Sequence, residues 1–212
     1  MDAKRVFINC PFDEEFKGLF DAILFTVLEL GFEPRHALID DSEALRLKRI
    51  VEEISKSKYS IHDLSRVELS KKSKLPRFNM PFEAGLAYMQ HELSLPQDKH
   101  HILILDAKPF RFHASLSDAA GLDAKIHAGS PQKAIEAVRQ FLATKSQAGK
   151  FPGGSIIAKR YALFLELLKT KGSNKVSLTE IQSWNYVNDL QAIMVSWIDE
   201  NPIQESTLDV EA

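Results

Sequence analysis

The chain has few cysteines, almost no excess charge of either sign and no long apolar runs. Its single cysteine, Cys10, excludes an intramolecular disulfide and a zinc site built from several thiolates. Lysine and arginine number 27 against 29 acidic residues in 212, and a net charge of −2 predicts no general nucleic-acid binding. The most apolar stretch, 22–28, is far shorter than the roughly 20 residues of a membrane-spanning helix. We therefore expect a cytoplasmic protein with no membrane association.

Sequence fingerprints of the common cofactor and catalytic sites are also missing. No GxGxxG, GxxxxGK[ST], HExxH or GxSxG motif occurs, which argues against the usual dinucleotide, phosphate-loop, metalloprotease and esterase sites. Seven histidines are present, but the adjacent pair His100 and His101 would point to opposite faces of a strand. We therefore expect no metal and no resident cofactor.

The first two thirds of the chain alternate short β-branched or aromatic runs with longer amphipathic segments. Strands are predicted near 5–9, 33–38, 59–63, 101–105 and 124–127, and helices near 14–31, 43–57, 80–92 and 131–144. This alternation is typical of successive βαβ units. It predicts an α/β fold with a doubly wound, mostly parallel five-stranded sheet of flavodoxin or Rossmann type, spanning 1–146.

A helical extension is predicted at 155–202, after a linker rich in glycine and proline. Its first apolar stripe consists of Ile157, Tyr161, Phe164 and Leu168. The second consists of Ile181, Trp184, Val187, Leu190, Met194 and Trp197. Ser177 and Glu180 form a capping box that would begin the second helix. Two helices cannot bury both stripes alone, so we expect packing on the first domain or on a partner subunit, as in a homodimer or larger homo-oligomer.

Polar side chains follow the predicted strands at the edge where open parallel sheets bind ligands. Asn9 ends the first strand and Asp63 ends the third. A basic stretch, with Lys71, Lys72, Lys74 and Arg77, follows the third strand and would suit a phosphate-bearing ligand. A solvated loop is the alternative for this stretch.

The segment 79–88, NMPFEAGLAY, is the most specific local feature. Pro81 is expected in the first turn of a helix, with Glu83 in the same turn near free backbone N–H groups. The helix dipole would then lower the pKa of Glu83 and keep its carboxylate ionised. A simple capping role is the alternative.

The segments VFINCPFD, HDLSR and NMPFEAGLAY resemble the nucleoside 2-deoxyribosyltransferase family and its wider superfamily, which includes TIR domains that cleave NAD. The resemblance covers about residues 4–145. It implies that 10–12 begin a nucleoside pocket and that Asp63 is the acidic residue after the third strand. It further implies that Glu83, with Gly85 and Ala87, forms the E-x-G-x-A motif of a glutamate nucleophile.

The resemblance implies an enzyme that cleaves or transfers at the N-glycosidic bond of a nucleotide or nucleoside, of the NAD or nucleoside monophosphate class. A carboxylate below the anomeric carbon can stabilise or attack an oxocarbenium-like centre. Glu83 and Asp63 are the candidate catalytic residues. The candidate substrate contacts are Asn9, Cys10, Pro11, Phe12, Arg46, Ser65, Arg77, Asn79, Met80 and Tyr88.

Among these contacts, Arg46 and Arg77 are candidates for phosphate, and Phe12 or Tyr88 for stacking on a ring. The transferases carry an aspartate and glycines just before the nucleophile helix, where this chain has 76–79, PRFN. This departure argues against transfer of deoxyribose between free bases, and the basic stretch described above would suit a phosphate-bearing substrate better than a plain nucleoside. Two alternatives stay open: a non-catalytic nucleotide-sensing or signalling module of TIR-like type, and an assembly domain that acts only through protein contacts.

Overall fold

A parallel five-stranded sheet forms the centre of the protein. The computed structural model describes residues 1–38, 43–66, 74–75, 78–111, 123–146, 149–171 and 177–203. The strands are β1 (Asp2–Asn9), β2 (Glu33–His36), β3 (Ser57–Asp63), β4 (His101–Asp106) and β5 (Lys125–Ile126), in the order β2-β1-β3-β4-β5. The predicted doubly wound α/β fold is confirmed. Because the order reverses between β1 and β3, their carboxyl ends form the topological switch point, where such sheets bind ligands.

Seven helices in the described residues flank the sheet or follow it. They are α1 (Lys17–Glu29), α2 (Glu43–Lys56), α3 (Asn79–Leu93), α4 (Pro131–Ser146), α5 (Gly154–Lys171), α6 (Leu178–Ile181) and α7 (Val187–Glu200). Short 3-10 turns occupy Pro96–Asp98 and Trp184–Tyr186. None of the helices in the described part of the chain is long and apolar enough to cross a membrane.

The bounds of α1 follow from local hydrogen bonds. Its start is later than predicted because Asp13 closes a turn first, accepting the Phe16 N–H at 3.1 Å. At its end Gly31 adopts a φ of 76°. The Gly31 N–H then donates to the Leu28 carbonyl and the Phe32 N–H to the Val27 carbonyl, a Schellman motif that favours glycine at this position.

Alternate residues of the central strands serve separate cores on the two faces of the sheet. Val6 and Ile8 of β1 join the larger core, which includes α1, α4 and the C-terminal helices. Phe7 points the other way and packs with Ile54 of α2 and Ala87 of α3. The period-2 alternation of a strand therefore decides which helices each side chain meets.

The C-terminal helices pack on the first domain, against α1 and α4. Phe25 of α1 contacts Phe164 at 5.6 Å and Trp197 at 5.8 Å between ring centroids. Glu29 accepts a hydrogen bond from Arg160 Nε at 2.8 Å. The two apolar stripes are thus covered within one chain.

One continuous helix from the capping box was expected, and this is wrong. Ser177 and Glu180 do form the capping box, with the Ser177 N–H donating to Glu180 at 2.9 Å. However, α6 lasts only four residues. Ser183 then adopts an extended backbone with a ψ of 160°, and the Trp184 ring turns toward Phe12 and Phe20.

Candidate functional site at the carboxyl edge of the sheet

A cavity of about 400 Å³ lies at the switch point. Its walls come from the loop after β1, from α2 and from the start of α3. The lining residues are Cys10, Pro11, Phe12, Arg46, Phe78, Asn79 and Met80. All except Phe78 are among the substrate contacts predicted from sequence. Phe78 was missed because it precedes the motif, although it directly adjoins Asn79.

Glu83 lies buried in the second turn of α3. The helix begins at Asn79, two residues before Pro81, so the expected first-turn position of Glu83 is wrong. Burial raises the pKa of Glu83, whereas the charge of Arg46 and a hydrogen bond from Asn9 lower it by less. The expected lowering of the pKa by the helix dipole is therefore also wrong. Within the described residues, Glu83 Oε2 is buried with no hydrogen-bond partner.

Asn9 and His62 form a polar pair below α3, on adjacent strands. They are register partners in the β1–β3 ladder, and Asn9 Nδ2 lies 3.1 Å from His62 Nδ1. When the amide donates to Nδ1, the imidazole carries its proton on Nε2. Burial lowers the pKa of His62 to about 3, so the ring is neutral near pH 7. His62 was not predicted, although it directly precedes Asp63.

Arg46 brings a positive charge to the cavity wall. Its guanidinium carbon lies 5.7 Å from the centroid of the Phe12 ring, a cation–π distance. In the part of the chain that the structure describes, its Nε atom is buried without a hydrogen-bond partner. A guanidinium beside a buried carboxylate and an aromatic ring can hold an anionic group of a ring-bearing ligand.

Asp63 occupies a different, fully hydrogen-bonded cluster on the α1 side. Its Oδ1 accepts the Ser65 N–H at 2.9 Å, and its Oδ2 accepts His127 Nε2–H at 2.9 Å. The Gly129 N–H donates to His127 Nδ1 at 3.0 Å, which places the imidazole proton on Nε2. Neither Asp63 nor Ser65 lines the cavity described above. His127 was missed, although it directly follows a strand end.

This cluster does not have the geometry of a serine–histidine–aspartate relay. Ser65 Oγ lies 3.0 Å from His127 Nε2, the same nitrogen that Asp63 contacts. In a relay the serine and the carboxylate meet opposite ring nitrogens. The arrangement instead fixes the loop after β3, where Arg111 also donates to the Ser65 carbonyl at 2.8 Å.

Three further residues singled out from the sequence have different surroundings. Tyr88 is exposed and stacks on His91 at 6.4 Å between centroids, away from the cavity lining. Burial raises the pKa of the Cys10 thiol, which keeps it protonated and unreactive near pH 7. Arg77, together with Lys71 and Lys72, lies outside the described residues.

The extension reaches the cavity through Trp184. Its ring meets Phe12 at 5.3 Å between centroids, on a wall of the cavity. Lys17 Nζ lies 5.4 Å from the Trp184 ring centroid and pairs with Asp21 at 2.5 Å. Burial raises the pKa of Asp21 to about 6, although Lys17 opposes the shift. Phe12 therefore connects the cavity wall to the C-terminal extension by direct ring contact.

Within the described residues, no three histidine, cysteine, aspartate or glutamate side chains are grouped to hold a metal ion. No protein-family model, curated protein or solved structure matches the chain. The chemistry of the cavity and of Glu83 therefore carries the functional argument.

Proposed function

We propose that this protein is an enzyme that cleaves or transfers at the N-glycosidic bond of a nucleotide or nucleoside, with Glu83 as the nucleophile. One observation carries the proposal: the buried Glu83 carboxylate keeps an unpartnered oxygen on the helix whose first residues, Asn79 and Met80, line a cavity at the switch point. Buried polar groups are rarely left unsatisfied in native proteins. A ligand that brings an electrophilic carbon to this oxygen would use it.

The chemistry follows from a carboxylate held below a sugar. Glu83 attacks the anomeric carbon, the C–N bond breaks, and its electron pair leaves with the base. Nicotinamide leaves NAD as a neutral base, whereas the anionic base of a nucleoside monophosphate takes a proton from solvent. Water or a second base then breaks the resulting ester and frees Glu83. Because only the ionised carboxylate attacks, the raised pKa of Glu83 predicts that the rate falls as the pH drops through it.

The cavity walls indicate the substrate class. Phe12 and Phe78 offer aromatic surface to a base, and Arg46 offers a cation to a phosphate. A volume of about 400 Å³ is within the range of small-molecule pockets. We therefore favour NAD or a nucleoside monophosphate over an unphosphorylated nucleoside.

The remaining predicted residues support the site to different degrees. Asn9 orients the Glu83 carboxylate and is held in turn by His62. Asp63 and Ser65 act through the loop after β3, without a place on the cavity wall. Tyr88 has no role in this proposal.

The test incubates the protein with nucleosides, nucleoside monophosphates and NAD, and measures the released base by mass. Glu83→Gln is expected to lower kcat/KM by about 10³-fold or more. Glu92→Gln is the matched control and should keep full activity, since Glu92 is exposed on the same helix. Full activity of Glu83→Gln on a confirmed substrate would disprove the nucleophile.

A second function is favoured by the contact between Trp184 and Phe12. In this alternative, a non-catalytic module binds the same nucleotide and reports occupancy through the C-terminal helices. Binding would then change tryptophan fluorescence without product after long incubation. A Trp184→Phe variant should lose that change. Release of a base at a steady rate by the wild type would exclude this alternative.

A further inference from the structure

Helix α3 reverses the usual pattern of a surface helix. Its acidic residue Glu83 faces inward, and a stripe of apolar side chains faces outward. The stripe consists of Phe78, Phe82, Met89 and Leu93, with Gly85 between them, at spacings of three or four residues. These four large side chains are 53% to 73% exposed. Such a stripe on a monomer normally marks an interaction surface.

The stripe is symmetric when read in reverse. About a midpoint between Gly85 and Leu86, Phe82 corresponds to Met89 and Phe78 to Leu93. Two copies of α3 packed antiparallel about a two-fold axis would therefore place apolar side chains opposite each other along the whole helix.

Gly85 lies at the centre of this arrangement and permits close approach. Nothing lies within 4 Å of the position that a Gly85 Cβ would occupy, so this chain itself does not require a glycine there. The residue is exposed on the outward face. A missing side chain at the crossing point lets two helix backbones come together.

The few charges on α3 fit the same arrangement. The outward face carries no lysine or arginine, and Glu92 is the exposed acid beside it. In the antiparallel pair Glu92 would lie opposite Asn79 of the second copy, at a helix N-terminus with no side-chain cap. The helix dipole is favourable to a carboxylate at that place.

We propose that the protein forms a symmetric dimer whose centre is an antiparallel pair of α3 helices. A specific dimer buries roughly 800 Å² per partner. One aromatic side chain can bury roughly 150–250 Å². The stripe, together with Tyr88 and Leu95, would therefore supply on the order of half of the area that each partner needs. Phe78 also lines the cavity, so Leu93 of the second copy would lie beside the cavity mouth.

The first experiment measures molar mass in solution over a range of concentrations by light scattering or sedimentation. The wild type is expected to be a dimer, and Phe82→Glu to weaken dimerisation by at least about tenfold. Leu163→Glu is the matched control, because Leu163 is 63% exposed on α5 and lies outside the stripe. A monomeric wild type, or a dimer that Phe82→Glu leaves intact, overturns the proposal, and a monomer would indicate a partner of another sequence.

The second experiment tests the antiparallel register with engineered cysteines, since the native Cys10 is buried. A mixture of Phe82→Cys and Met89→Cys copies is expected to form a mixed disulfide on mild oxidation, and each variant alone much less. Efficient crosslinking of each variant alone, with no mixed disulfide in the mixture, would indicate a parallel pair and overturn the proposed symmetry. Both measurements are independent of any enzymatic activity.

Discussion

Two buried carboxylates at one edge of the sheet have opposite surroundings. Asp63 ends β3 and points toward the α1 side, where Ser65 and His127 satisfy both of its oxygens. Glu83 lies across the sheet on α3, where one oxygen has no partner within the described residues and the first residues of the same helix line a cavity. The sequence places both acids at the same edge, and both are buried, so burial does not distinguish them.

The two carboxylates differ in whether each of their oxygens has a hydrogen-bond partner. A buried polar atom without a partner costs about 1–3 kcal/mol of stability. A satisfied cluster such as that of Asp63 stabilises a loop and leaves nothing for a ligand. The unsatisfied Glu83 is the group whose cost a bound substrate would offset, so we propose a structural role for Asp63 and a chemical role for Glu83.

The largest effect is expected from Asp63→Ala, and it is an effect on stability that would sharpen the contrast between the two carboxylates. Removing the carboxylate leaves the Ser65 N–H without its acceptor and the buried His127 Nε2–H with only the Ser65 hydroxyl as a partner. The free energy of unfolding should fall by about 2–4 kcal/mol in urea denaturation. Asp123→Ala, at an exposed position, should change it by less than about 0.5 kcal/mol. A stable but inactive Asp63→Ala protein would break the comparison and make Asp63 catalytic.

A smaller effect, on turnover, is expected from Arg46→Gln. The Arg46 charge lowers the pKa of Glu83, so its loss should move the acid limb of the pH–rate profile to higher pH. Loss of the cation should also lower kcat/KM for a phosphate-bearing substrate by about tenfold, because one charge-assisted contact is lost. Lys48→Gln, exposed on the same helix, is the control. Unchanged kinetics with every substrate would remove Arg46 from the site.

The smallest effect, and one of opposite sign, is expected from Glu83→Gln on stability. Because the pKa of Glu83 is raised in the folded state, the folded wild type binds more protons than the unfolded chain at pH values between the ordinary pKa and the raised one. The Glu83 contribution to wild-type stability therefore falls as the pH rises through that interval. Relative to wild type, Glu83→Gln should be more stable at pH 7 than at pH 4, measured by urea denaturation at each pH. A variant that is relatively less stable at pH 7 would show that the ionised carboxylate stabilises the fold.

Several parts of the site were accessible from sequence because they depend on short-range pattern. Strand alternation and helix spacing predicted the parallel sheet, and the strand ends located Asn9, Cys10 and Asp63 at its carboxyl edge. The helix α3 starts one residue before the predicted 80, since proline is tolerated within the first turn and does not have to open it. That shift moved Glu83 from the first turn to the second.

Long-range pairing could not be read from the chain. His127 meets Asp63 across 64 positions, and Trp184 meets Phe12 only after an extended Ser183 ends α6. Such contacts depend on how separate elements are brought together, which local propensity does not encode. By itself, the sequence determined the fold class and the polar edge, through the periodicities of strands and helices. Only the tertiary structure decided which carboxylate is satisfied and which keeps an unpartnered oxygen, because satisfaction depends on partners distant in the chain.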